Sequence, residues 1–165
     1  MNNERPTGWP GEPIEPPGLD EIEAAARRLD GTIVRTPLIR LRDQESDPRI
    51  LLKPETLQPI GSFKVRGVGN WALGLDHAEA AKGLSTTSAG NTAQALGYMG
   101  QQLGVSSRSM VPDNLHAAKR AAIEAYGTEL VGVSMTDLML YMFDELWRAE
   151  PHCYLNPWGE PDMIS

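Results

Sequence analysis

Apolar residues follow two different patterns along this chain of 165 residues, and the change comes near residue 76. Beyond that point, short segments of five or six residues alternate with longer stretches in which apolar residues recur every three or four positions. The short segments predict strands at 83–87, 107–111 and 128–133. The longer stretches predict helices at 91–103, 115–126 and 135–149. Because helices separate the strands, we expect βαβ crossovers, a parallel sheet and an α/β fold.

The first 75 residues are less regular. Residues 1–18 contain five prolines and three glycines among polar residues, which predicts a disordered leader. A helix is predicted at about 20–30, and the apolar residues 50–52 are predicted to form a short buried strand. A second helix is predicted from Ser62, as its N-cap, to about residue 73.

Residues 59–67 form the first stretch with candidate chemistry, a turn that leads into this second helix. Lys64 falls in the first helical turn, where the positive end of the helix dipole disfavours a cation by roughly 0.3–1 kcal/mol. The nearby charge of Arg66 acts in the same direction. A neutral lysine amine is a nucleophile that forms Schiff bases, so Lys64 is a candidate catalytic residue. The alternative is a solvated surface charge, which is what most such lysines are.

Residues 86–92, Thr-Thr-Ser-Ala-Gly-Asn-Thr, form the second candidate stretch. They lie where a predicted parallel strand ends and a helix begins, the place where open α/β sheets bind ligands. Small side chains and Gly90 allow backbone N–H groups to close on a small anion at the helix N-terminus. Such a site suits a carboxylate, and Asn91 adds a neutral donor. The alternative is an ordinary strand-to-helix turn without function.

Composition narrows the classes of function. A net charge of −7 argues against a nucleic-acid partner, which would require a basic face. No apolar run reaches the ~18 residues of a membrane span, and no secretory signal is apparent, so cytoplasm is the expected compartment. The single cysteine fits a reducing compartment. No metal site is expected, because His77, His116, His152 and Cys153 lack metal-ligand spacing.

Several motifs in a fixed order extend these two stretches. They are T-P-L at 36–38, L-K-P-E-T-L-Q-P-I-G-S-F-K-V-R-G at 52–67, S-A-G-N-T-A-Q-A-L at 88–96, V-P-D at 111–113, K-R-A-A-I-E-A-Y-G-T-E-L-V at 119–131 and N-P-W at 156–158. With them the chain resembles the fold-type II pyridoxal-phosphate enzymes of the tryptophan synthase beta-like superfamily. The likeness covers residues 20–165 and is greatest to the branch of threonine/serine dehydratases and serine racemases.

The resemblance implies pyridoxal 5′-phosphate as cofactor and a small amino acid as substrate. Lys64 would carry the cofactor as a Schiff base and shuttle the proton at the substrate Cα. Phe63 would lie against the cofactor ring, and Asn91 would hydrogen-bond its 3′-oxygen. The residues that would hold the substrate carboxylate are Ser88, Ala89, Gly90 and Thr92.

The implied reaction is β-elimination, which converts L-threonine or L-serine to a 2-oxo acid and ammonia. In the racemases, the serine at the position of Ala89 serves as a second base, and alanine cannot take a proton. Thr92 departs from the histidine usual in dehydratases and is closer to what cysteine synthases carry. The alternatives are an enzyme of the cysteine synthase, threonine synthase or racemase type, or a non-catalytic α/β half-enzyme that binds a partner.

Family members run to about twice this length, and their glycine-rich phosphate loop comes later in the chain. We therefore expect residues 19–75 to be the first part of an incomplete, larger cofactor-binding α/β domain. Residues 76–155 would form a small parallel domain of three αβα layers, and residues 156–165 would return to the large domain. Weak or absent cofactor binding and little turnover are expected of this chain alone, and a homo-oligomer is expected of the full-length form. An incomplete domain should also expose apolar surface.

Overall fold

The computed structural model describes residues 15–41 and 50–164, so most of the predicted leader at 1–18 lies outside the described residues. The helices in these ranges are α1 (Leu19–Arg28), α2 (Lys64–Gly74), α3 (His77–Ala80), α4 (Asn91–Leu103), α5 (Ala117–Glu124) and α6 (Met135–Phe143). Short 3-10 helices cover Glu55–Leu57, Leu146–Ala149 and Pro161–Met163. The strands are β1 (Ile39–Arg40), β2 (Leu51–Leu52), β3 (Leu84–Thr87), β4 (Ser107–Pro112), β5 (Glu129–Val133) and β6 (Cys153–Leu155).

The main sheet has four parallel strands in the order β5-β4-β3-β6, which confirms the predicted α/β class. The three predicted strands are present, and β6 adds a fourth beside β3. Helices α4 and α5 contact each other, as expected when two successive crossovers run in the same direction across a sheet. From β5 the chain crosses back over β4 and β3 to form β6, still parallel, at the other edge of the sheet. Because this crossover runs in the opposite direction across the sheet, a right-handed connection places α6 on the opposite face.

The hydrophobic core joins α2 to this sheet. Val65 and Val68 of α2 are fully buried and belong to one cluster with Leu96 of α4, Leu84 of β3 and Leu155 of β6. Helix α2 is therefore packed against the main sheet and α4. The division into a large and a small domain near residue 75 stays a prediction.

The strand predicted as buried at 50–52 is instead exposed. Leu51 and Leu52 pair with β1 in an antiparallel ribbon of two strands, and the Leu51 side chain is 53% exposed. Leu38, on the approach to β1, is 63% exposed. An apolar run indicates a surface that prefers burial, but no described element covers this one. Exposed apolar surface is therefore present on this ribbon, and the incomplete domain to which it was assigned stays a prediction.

Two predicted helix boundaries are wrong. Helix α2 begins at Lys64 with Phe63 in the N-cap position, although the Ser62 hydroxyl does accept the Lys64 N–H at 3.3 Å. The helix predicted at 135–149 ends at Phe143, because Glu145 adopts a left-handed conformation (φ 51°) that interrupts the helical path. In the ranges described, no helix has both the length and the hydropathy that a bilayer crossing demands.

Gly97 allows α4 to lie close to the start of β5. A Cβ at this position would lie 2.7 Å from the Tyr126 carbonyl oxygen and would also overlap the Thr128 hydroxyl. That hydroxyl is itself held by a 3.0 Å hydrogen bond to the Ala93 carbonyl, so it cannot move away without loss. We expect Gly97→Ala to lower the free energy of unfolding by about 1–3 kcal/mol, measured by urea denaturation.

Gly132→Ala is the matched control for this prediction. A Cβ at Gly132 would meet the Asp113 Cα at 3.5 Å, which is an ordinary contact, so little loss is expected. Equal destabilisation by the two substitutions would contradict the packing explanation for Gly97.

Candidate active site

A cavity of about 410 Å³ opens where the carboxyl end of the main sheet meets α2. Its volume lies in the range of roughly 300–1,000 Å³ that is usual for small-molecule sites. Lys64 lines it from α2, and Ser88, Ala89 and Thr92 line it from the loop and first turn of α4. The structure thus brings both candidate stretches to one cavity, although α2, α3 and β3 separate them in the sequence.

The cavity has both polar and apolar lining groups. The loop before α4 and Lys64 supply polar groups. Apolar side chains line it from β4 and α6, namely Met110, Pro112, Leu138 and Met142. This mixed lining therefore suits a ligand that carries both a charged group and a short side chain.

The Lys64 amine has no competing polar partner among the described residues. Its Nζ lies 5.2 Å from the centre of the Phe63 ring, and in the described part of the chain it makes no hydrogen bond or ion pair. An amine that is not tied to a carboxylate is available to react with a ligand in the cavity. Phe63 itself is 58% exposed and does not line the cavity, so its predicted contact with a cofactor ring stays a prediction.

The buried Ser62 hydroxyl joins the two candidate stretches. It accepts a hydrogen bond from the Asn91 side-chain amide at 3.1 Å and one from the Lys64 backbone N–H at 3.3 Å. Asn91, predicted to contact the cofactor, is therefore engaged with the start of α2. The same contacts fix the start of α2 relative to the start of α4.

Ser109 of β4 holds the loop that precedes α4. Its fully buried hydroxyl accepts the Ser88 N–H at 3.1 Å and donates to the Ser88 carbonyl at 2.8 Å. The Gly90 N–H is also used, because it donates to the Ser88 hydroxyl at 3.3 Å. Ser109 was not predicted from the sequence, where the only available signal was a polar residue within a strand.

Three backbone N–H groups of this loop remain free. Those of Ala89, Asn91 and Thr92 have no hydrogen-bond partner among the residues that the structure describes. Free N–H groups at the first turn of a helix favour an anion, both as donors and through the helix dipole. Of the four predicted carboxylate-binding residues, Ala89 and Thr92 thus offer backbone donors, whereas Ser88 and Gly90 shape the loop.

Glu55 and Arg66 form an ion pair beside the site that was also not predicted from the sequence. The guanidinium donates to both carboxylate oxygens of Glu55, at 2.7 and 2.8 Å. These hydrogen bonds lower the pKa of Glu55 from 4.5 to about 2. The charge of Arg66 is therefore compensated by Glu55, which weakens the predicted influence of Arg66 on Lys64.

Further hydrogen bonds extend this ion pair to the segment before β1. The Thr36 hydroxyl donates to Glu55 at 2.6 Å. The Gln58 side chain accepts the Val34 N–H at 3.0 Å and donates to the Val34 carbonyl at 2.8 Å. We call Thr36, Glu55, Gln58 and Arg66 the polar clamp. It fixes the loop that leads into α2, and it gives a structural reason for the T-P-L and P-E-T-L-Q motifs.

The described residues fit one end of pyridoxal phosphate. A free primary amine suits the aldehyde, and the cavity and the free N–H groups suit an amino acid that approaches it. The phosphate end has no such match, because the glycines after Gly74 are singly spaced and form no glycine-rich loop.

Comparisons with known proteins identify the family. Residues 29–165 match the family model described as pyridoxal-phosphate dependent enzyme. The catabolic L-threonine dehydratase TdcB of Staphylococcus aureus (strain bovine RF122 / ET3-1) is 32% identical over an alignment of 152 residues, and the match covers 89% of this chain and 44% of that protein. The chain thus spans less than half the length of this curated relative.

Solved structures show the same likeness. The threonine deaminase of T.th. superposes with a TM-score of 0.75 at 36% identity, over 90% of this chain and 47% of that one. The serine racemase of Dictyostelium discoideum superposes with a TM-score of 0.74 at 27% identity, over 88% and 48% of the respective chains. On the family match over residues 29–165, the chain belongs to the pyridoxal-phosphate dependent enzymes.

Proposed function

We propose that this chain carries the lysine and the carboxylate site of a lyase that acts on L-threonine or L-serine. The products would be the 2-oxo acid and ammonia. The observation that carries the proposal is the shared cavity of Lys64 and the loop before α4. The relative named a threonine dehydratase and the structure named a threonine deaminase support the same substrate class.

The chain's own residues account for binding and proton transfer. The free N–H groups of Ala89, Asn91 and Thr92 bind the substrate carboxylate. The Lys64 amine, which lines the same cavity, removes the proton from Cα as a general base. When bound, the cofactor supplies a ring that accepts the electrons released at Cα. The β-hydroxyl leaves as water, and hydrolysis of the remaining enamine consumes one water and releases ammonia.

Ala89 supports elimination over racemisation. Inversion at Cα requires a proton donor on the face opposite Lys64, and a methyl group cannot supply one. We expect Ala89→Ser to raise the formation of D-serine from L-serine at least about 100-fold, because a positioned acid or base contributes that much. Chiral chromatography of long incubations at high chain concentration measures it, with Ala89→Gly as the control.

The same incubations test the proposal itself. With pyridoxal phosphate and L-threonine, we expect 2-oxobutanoate and ammonia in equal amounts and no D-isomer from the unsubstituted chain. Formation of D-amino acid faster than 2-oxo acid would contradict the assignment as a lyase.

A further inference from the structure

Two neighbouring aromatic rings hold the ring of Tyr154 in β6 in place. The ring of Tyr154 stacks on that of Trp147, with centres 4.6 Å apart and an angle of 12° between the planes. Tyr141 of α6 meets the same ring edge-on at 6.1 Å. Burial raises the pKa of Tyr154 to about 12, so its hydroxyl keeps its proton at neutral pH.

The Tyr154 hydroxyl is directed at the candidate site. It donates to the hydroxyl of Thr87, the last residue of β3, at 2.9 Å. Thr87 is buried, lines the cavity and accepts this hydrogen bond, but within the described ranges its own hydroxyl donates to no protein group. A hydroxyl that accepts one hydrogen bond becomes a better donor in a second hydrogen bond. The Thr87 hydroxyl is therefore a hydrogen-bond donor available to a ligand in the cavity.

The position of Thr87 in the cavity determines which part of a bound ligand it contacts. With the carboxylate at the free N–H groups of α4, the apolar lining of Met110, Leu138 and Met142 is left for the ligand's side chain. Thr87 lies at that side of the cavity, on the strand next to Met110. It supplies a hydrogen-bond donor to a wall that is otherwise apolar.

We propose that Thr87, oriented by Tyr154, determines specificity by donating a hydrogen bond to the β-hydroxyl of the amino-acid substrate. Thr87 contacts the substrate, and Tyr154 is a positioning residue. The inference rests on the proposed function and adds a residue that discriminates hydroxy amino acids from their deoxy analogues. A site that hydrogen-bonds a ligand hydroxyl disfavours the analogue without it, because its own polar group is then left unpaired.

Two stable conjugates test this inference without turnover. Pyridoxyl-L-threonine and pyridoxyl-L-2-aminobutanoate are reduced secondary amines that differ only in the β-hydroxyl. Titration of the ¹⁵N-labelled chain, followed by the amide shifts of Ala89 and Thr92, measures their dissociation constants. We expect the threonine conjugate to bind about tenfold more tightly, the ratio that one neutral hydrogen bond supplies.

Four variants separate the hydroxyl from the packing around it. Thr87→Val should reduce the affinity ratio to about one, whereas Thr87→Ser should keep it because the hydroxyl remains. Tyr154→Phe should reduce it to about threefold, because the Thr87 hydroxyl loses its orientation. Tyr98→Phe, which removes a phenol hydroxyl bonded to the Thr32 carbonyl, should leave it unchanged.

The outcomes distinguish this inference from the proposed function. Equal binding of the two conjugates by the unsubstituted chain, or an unchanged ratio in Thr87→Val, would overturn the role of Thr87 alone. If neither conjugate shifts the amides of Ala89 and Thr92, the carboxylate site and the role of Thr87 are both wrong. Should Thr87→Val fail to fold, the ratios in Thr87→Ser and Tyr154→Phe still decide the matter.

Discussion

Replacing Lys64 by alanine is expected to lower the formation of 2-oxobutanoate from L-threonine to the rate of free pyridoxal phosphate. A positioned general base contributes about 10²–10⁴-fold, and Lys64 is the only lysine among the described residues that line the cavity. The loss should not be accompanied by unfolding, because the Lys64 side chain makes no hydrogen bond or ion pair in the described structure. Product formation and the thermal midpoint measure the two effects separately.

Lys82→Ala is the matched control. Lys82 is an exposed lysine that precedes β3 and lies at the other end of that strand from the cavity. Its removal should change neither product formation nor stability. Activity that survives in Lys64→Ala, or that falls equally in both variants, would contradict the role assigned to Lys64.

Replacing Glu55 by glutamine is expected to destabilise the fold by about 2–3 kcal/mol at pH 7, since hydrogen bonds to charged groups are each worth about 1.5–3 kcal/mol. The substitution keeps the size of the side chain but removes the charge that pairs with Arg66. Within the polar clamp, this carboxylate also accepts hydrogen bonds from Thr36 and Gln58. Urea denaturation gives the difference in the free energy of unfolding.

The pH dependence of this difference has a definite sign. The pKa of Glu55 is lowered to about 2 in the folded chain, against an ordinary value of 4.5. A lowered pKa stabilises the fold above the ordinary value and ceases to do so as the pH falls through the lowered one. The difference between Glu55→Gln and the unsubstituted chain should therefore be full above about pH 5 and largely lost near about pH 2.

Glu124→Gln provides the control for this experiment. Glu124 pairs with Arg120 one helical turn away, at 3.7 Å, and its side chain is half-exposed. Exposed pairs of this kind contribute about 0.3–0.5 kcal/mol, so little change is expected at any pH. A loss in Glu55→Gln that is no larger than this would show that the polar clamp does not hold the loop before α2.

The parallel sheet could be predicted because the alternation of strands and helices is visible in neighbouring stretches of the sequence. Strands β3, β4 and β5 are short segments between helices, and each lies within a few residues of its predicted position. The loop at 86–92 could be placed because it follows one of these strands. Burial at 50–52 could not be predicted correctly, since apolar content shows what a strand prefers but not whether another element covers it.

The contacts that organise the site were not visible in the sequence. The polar clamp joins Thr36 to Glu55 and Arg66, and the aromatic contacts join Tyr154 to Trp147. Ser109 of β4 binds the loop at Ser88, and the whole of α4 lies between these two residues in the sequence. Each of these pairings depends on how strands and loops are placed in space, and residue spacing alone does not report that placement.

The central claim is that the Lys64 amine faces a carboxylate site and reacts there with an aldehyde. The chain has four lysines, Lys53, Lys64, Lys82 and Lys119, which serve as internal controls for one another. The most direct measurement is reduction with borohydride after incubation with pyridoxal phosphate, followed by peptide mass spectrometry. Because cofactor binding by this chain is expected to be weak, we expect only partial labelling, concentrated on Lys64. Pyridoxal should label Lys64 nearly as well, because this sequence holds no glycine-rich phosphate loop. A label spread evenly over the four lysines, or concentrated on Lys82 and Lys119, would contradict the claim.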